Sequence, residues 1–86
     1  MSDISTVTDA LKLIKSRIIE TPDFGIYKSI LRQLEYILSV LDGRETNRDN
    51  MEKIIVGHYA VHEFEESDPE LASLLKKCQY IAFKLK

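Results

Sequence analysis

At 86 residues the chain is the size of one small domain, able to bury only about 60% of the surface that its unfolded form exposes. Hydrophobic residues make up 44% and charged residues 30% of it, which is too apolar for a disordered segment, while no apolar run is long enough to cross a bilayer. The net charge of −2 hides a division: residues 1–48 balance seven acids with seven bases, residues 49–70 set seven acids against Lys53 alone, and residues 71–86 hold four lysines and no acid. An acidic block repels nucleic-acid phosphates and anionic membranes and attracts a basic partner, so neither nucleic acid nor membrane is expected as a ligand.

The opening residues "MSDISTVTDALK" lack the basic and apolar regions of a secretory signal, and a cytoplasmic protein is the expectation. Ile4, Val7, Leu11, Ile14 and Ile18 then recur at helical spacing, predicting a helix over about 4–20 with Ser5 or Thr6 as its cap. Pro22 in "TPDFG" disfavours a helical Thr21 and breaks it. A second helix, about 25–42, lines up Tyr27, Ile30, Leu31, Leu34, Ile37, Leu38 and Leu41 and stops at Gly43, a residue suited to a left-handed C-terminal cap. Asn47 is the candidate N-cap of a third helix over about 48–65, whose inner stripe is read as Met51, Ile54, Ile55, Val61 and Phe64. The fourth, about 69–84, opens either with Asp68 as cap and Pro69 at its first position or with a Ser67/Glu70 capping box. Its stripe is Leu71, Leu74, Leu75, Cys78, Ile81, Ala82 and Leu85, and Lys76, Lys77, Lys84 and Lys86 lie toward the C-terminal end that favours cations. The expected fold is all-α, a compact bundle of four amphipathic helices with short connections forming a single domain over 1–86.

The third helix carries the functional candidates. At 100° per residue Glu52, Val56, Tyr59, Glu63 and Glu66 fall on its outward face, where an aliphatic and an aromatic residue among carboxylates resemble a protein interface. The competing reading is that a neighbouring helix covers Val56 and Tyr59. His58 and His62 stand four apart, but the zinc-protease pattern needs a glutamate directly after the first histidine and Tyr59 stands there. They are expected as histidines on and at the edge of the apolar face, with no metal bound. Cys78 is the only cysteine and sits on an apolar stripe, where a thiol packs as a small hydrophobe. "EFEES" without a cleft is a solvated charge run, and Gly25, Gly43 and Gly57 are too scattered for a phosphate loop, Gly57 instead permitting a close helix crossing. No catalytic residue and no cofactor is expected, and the residues by themselves describe a binding module.

The segments "RQLEYILSVLDGR" (32–44) and "IIVGHYAVHEFEESDPELASLLKKCQY" (54–80) resemble the small helical immunity proteins of type VI secretion that neutralise NAD(P)-hydrolysing effector toxins. The resemblance runs from about Asp9 to Phe83. Its most specific parts are Gln33, Leu34, Tyr36, Ile37, Ser39, Val40 and Leu41, then Ala60, Val61, Glu63, Phe64 and Ser67 to Leu71. It implies inhibition rather than catalysis: in the bacterial cytoplasm the protein would bind a cognate toxin domain and block its active site. The expected toxin-binding residues are Glu52, Val56, Tyr59, Glu63 and Glu66, with Gln33 and Tyr36 on the flank of the second helix and Tyr80 on the fourth. A non-catalytic adaptor for another host protein is the alternative, and self-association through Tyr80 or Phe83 has no specific support.

Overall fold

In a computed structural model describing residues 2–86, the first helix, α1, spans Asp3–Glu20. It begins earlier than Ser5 or Thr6 would place it, because Ser2 caps it: the Ser2 hydroxyl accepts the Ser5 amide at 3.0 Å. Thr6 lies buried one turn in and spends its hydroxyl on the Ser2 carbonyl. After the turn at Pro22, α2 spans Gly25–Leu41 and returns antiparallel to α1. Gly43 ends it with φ +86°, the left-handed conformation that costs a residue without Cβ nothing. A longer connection follows, held down where the Tyr36 hydroxyl donates to the Asn47 carbonyl at 2.6 Å.

The last helix, α4, spans Pro69–Lys84 and lies antiparallel to α1. Ion pairs mark both ends of that crossing: Arg17 to Asp68 at 2.7 Å and Lys84 to Asp3 at 3.2 Å. Of the two ways to open α4, the Asp68 cap is the one formed. Its carboxylate accepts the Leu71 amide and two guanidinium bonds from Arg17, whereas the Ser67 hydroxyl donates back to the Glu63 carbonyl. The hydrogen bonds from Arg17 hold the Asp68 carboxyl below its usual range, against the opposing effect of burial.

The core runs through Val7, Ala10, Ile14, Ile30, Leu34, Ile37, Leu71, Leu75 and Cys78, all 0% exposed. Each large aliphatic among them contributes about 1.5–3 kcal/mol by leaving water. Burial pushes the Cys78 thiol up to about 12, so it packs and does not react. The radius of gyration, 12.0 Å, equals the roughly 12 Å expected of a fully collapsed chain this long, so no element stands off from the others.

The third helix departs from expectation. Instead of one α-helix over about 48–65, a 3-10 turn covers Asp49–Lys53, an extended step follows at Ile54, a short helix, α3, occupies Val56–Tyr59, and a π turn continues it over Ala60–Phe64. Asn47 does not cap a helix; its side chain accepts the Asp49 amide and shapes the approach to the 3-10 turn. Two causes explain the break. Ile54 and Val56, both buried, would stand about 200° apart at helical pitch and cannot share one inward stripe, and these β-branched residues with Gly57 are weak helix formers. Backbone groups freed by the break are also satisfied from elsewhere. Gln33 of α2 accepts the Ile55 amide at 2.7 Å, and Gln79 of α4 accepts the Gly57 amide at 3.0 Å while donating to the Ile54 carbonyl at 3.0 Å.

The π turn has a packing reason. Residues four apart in an α-helix drift by about 40° per step, so Val56, Ala60 and Phe64 would fan away from one another. The wider i→i+5 turn takes back that drift and lets all three reach the core, at 0%, 0% and 3% exposure. Phe64 is thereby stacked on Tyr27 at 5.7 Å and edge-on to Phe24 at 6.2 Å. Gly57 faces Gln79 so closely that a Cβ there would stand 2.8 Å from two of its side-chain carbons, which is the close crossing expected of it.

Candidate partner-binding surface

With Ile54 turned inward, Ile55 is turned out and 44% exposed. Ile55 is the non-helical residue just before α3, and the outward strip continues beyond it in His58, Tyr59 and His62. His58 and His62 are exposed rather than on and beside the apolar face, their rings 4.2 Å apart. Tyr59 is half-buried, its ring edge-on to His58 at 6.3 Å and its inner side against the core.

The strip runs into the acidic end of the segment. Val61, His62, Glu63, Glu65, Glu66 and Ser67 surround an open depression of about 420 Å³. Glu63 and Glu66 are exposed and have no ion-pair partner among the described residues, leaving their charge free for a partner. Glu65 differs: Lys76 donates to it at 2.7 Å and holds its carboxyl below the usual range. Val61, read as an inward residue, is 50% exposed beside these carboxylates.

The remaining expected contact residues are scattered by the break. Val56 is fully buried and cannot touch a partner, which corrects its assignment to the outward face. Once the helix restarts at Val56, the 3-10 residues no longer share its register, and exposed Glu52 stands with Arg48, Asp49 and Lys86 around a separate depression of about 390 Å³. Gln33 is half-buried and its amide is committed to Ile55 and Ser29; Tyr36 is half-buried with its hydroxyl on Asn47. Both hold the scaffold. Tyr80 is 64% exposed on α4, with the Lys84 ammonium 5.2 Å from its ring centre.

Sequence reasoning missed Ile55, His58, His62 and Val61 as surface residues. Spacing already turned one of the three consecutive apolar residues, 54–56, outward, but a regular helix gives that place to Val56, and nothing in the local sequence signals the break that gives it to Ile55. Chemically the strip offers an aliphatic anchor, two imidazoles and unpaired carboxylates on an open surface, a composition for binding another protein. No group of three His, Cys, Asp or Glu able to hold a metal ion occurs among the described residues, and no helix there is long and apolar enough to cross a membrane.

Comparison with known proteins places these features in context. A family model described as Tsi6 matches residues 2–84. The immune protein Tsi6 of Pseudomonas aeruginosa is 36% identical over 84 residues, covering 98% of this chain and 89% of that protein. Among solved structures, a chain in the structure of Tse6 in complex with Tsi6 superposes with a TM-score of 0.94 at 35% identity, over 99% of this chain and 90% of that one. The structure of Tsi6 from Pseudomonas aeruginosa gives a TM-score of 0.90 at 35% identity, over 95% of each chain.

Proposed function

Because the chain belongs to the Tsi6 family of small helical immunity proteins, we propose that it binds a cognate effector toxin domain in the bacterial cytoplasm and inhibits it by occluding the active site, itself catalysing nothing. The observation that carries this reading is the near-complete superposition on a chain from the Tse6–Tsi6 complex. The toxin is an NAD(P)+-glycohydrolase delivered by type VI secretion, as the sequence resemblance implies.

The contact surface is the strip of Ile55, His58, Tyr59 and His62 with Val61, Glu63 and Glu66 at its acidic end; Tyr80 is a secondary contact. Such a surface divides the labour of binding. Unpaired carboxylates steer a basic toxin face toward it and raise the association rate, and the apolar and imidazole groups slow dissociation once water is expelled.

Co-expression of this chain with its toxin domain, following growth and cellular NAD(P) together, tests the proposal. Rescue of both is expected. Growth rescued in cells whose NAD(P) never falls would keep immunity and overturn the toxin chemistry; no rescue with both proteins soluble would overturn the immunity reading for that toxin.

A further inference from the structure

The break at Ile54–Gly57 demands three backbone hydrogen bonds that an unbroken helix would make within itself, and side chains of two other helices provide them. Its visible product is one exposed isoleucine between two buried residues: Ile54 is 6% exposed, Ile55 44% and Val56 0%. A helix stopped only by poor propensity would fray into water. This one is stopped at a defined residue, with its freed groups bonded to half-buried glutamines. We infer that Ile55 is the apolar anchor that this protein offers to the toxin domain, and that Gln33 and Gln79 are positioning residues that fix where it points.

The chemistry of the two glutamines differs in a way that makes the inference testable. Gln33 serves Ile55 only as an acceptor, so a glutamate can keep that bond while giving up the donation to the Ser29 hydroxyl. Gln79 is both donor and acceptor, one bond to each side of the break, and a glutamate keeps only the Gly57 half. The occupant is a toxin surface carrying an apolar recess with basic groups beside it, matched to Ile55 and to the free carboxylates of Glu63 and Glu66 further along. The inference rests on the reading of the strip as the toxin-binding surface.

The test measures association and dissociation rates of the toxin domain with the intact protein and four variants, alongside amide hydrogen exchange. Ile55→Ala, a surface change that leaves the fold alone, is expected to speed dissociation about tenfold or more at unchanged melting temperature, as loss of an anchor does. Gln33→Leu is expected to speed dissociation and release the Ile55 amide to exchange while α1 and α4 keep their protection. Gln33→Glu is expected to restore both. Unchanged dissociation for Ile55→Ala would overturn the anchor. Exchange rising equally in every helix of Gln33→Leu, without rescue by Gln33→Glu, would overturn the positioning role and leave a general structural one. Glu63→Lys with Glu66→Lys separates this inference from the reading beneath it. If that pair slows association while Ile55→Ala does nothing, only the anchor falls; if neither changes binding, the surface itself has been misplaced.

Discussion

α4 and the stretch from Asp49 to Phe64 are equal in length and pack against each other, yet one is a single α-helix and the other changes helical type twice. In α4 every local influence agrees: a carboxylate cap, proline at the first position, a stripe of Leu71, Leu75, Cys78 and Ala82 at intervals of three and four, and lysines toward the end. In 49–64 they disagree. β-Branched residues and Gly57 weaken the helix, three apolar residues compete for the inside, and α3 has no side-chain cap of its own. Burial and local propensity therefore settle α4, whereas hydrogen bonds reaching from Gln33 and Gln79 settle the third segment. On the proposed function, the regular element serves as scaffold and the irregular one as display.

The largest perturbation should erase this difference by unfolding both regions together. Leu75 is 0% exposed on α4 at the centre of the core, and Leu75→Ala is expected to cost about 2–5 kcal/mol, measured by denaturant unfolding. Loss of α4 with the 49–64 stretch intact would show that the display does not depend on its scaffold.

Gly57→Ala is aimed at the junction. The new Cβ would press on Gln79, and the overpacking should cost about 1–3 kcal/mol. Gly25→Ala, where no atom lies within 4 Å of the added carbon, is expected to stabilise by about 0.4–1 kcal/mol instead. Opposite shifts in melting temperature would confirm that one glycine is held by contact and the other only by chance of position.

Asp68 sharpens the scaffold side. Its carboxyl is held below the ordinary 3.8 by Arg17, so the carboxylate stabilises the fold above that pH, and the stabilisation is lost as pH falls through the lower folded value. Asp68→Ala should cost about 1 kcal/mol at neutral pH by removing the cap. Arg17→Met should flatten the acid limb of a stability profile, and an unaltered limb would assign acid sensitivity elsewhere.

The smallest effect on stability belongs to the display. Glu63→Lys with Glu66→Lys should change unfolding free energy by no more than about 0.5 kcal/mol. Toxin association should nevertheless slow and lose its dependence on salt, as read by stopped-flow mixing at two ionic strengths.

Legibility in the sequence follows the same division. Helical class, the role of Gly43, the start of a helix near Asp68 and Pro69 and the burial of Cys78 could all be read from spacing and residue type, because neighbours in the chain decide them; which residue caps that helix could not. Exposed Ile55 and buried Val56 could not be read from a regular helix, since the break that exchanges them depends on glutamines 22 residues away in either direction. Gln33 and Tyr36, singled out by resemblance to immunity proteins, both bond to backbone atoms of the chain itself. A pattern shared within a family marks the scaffold as readily as the contact surface.

The glutamine bonds also bear on retargeting. Gln33 and Gln79 grip main-chain atoms, which every amino acid except proline supplies in full, so their hold does not depend on the side chains presented at 55, 58, 62, 63 and 66. A library randomised at those five positions, with Gln33, Gly57, Phe64 and Gln79 kept, should yield mostly folded members. The protein would then serve as a small cysteine-buried framework from which inhibitors of other toxins could be selected.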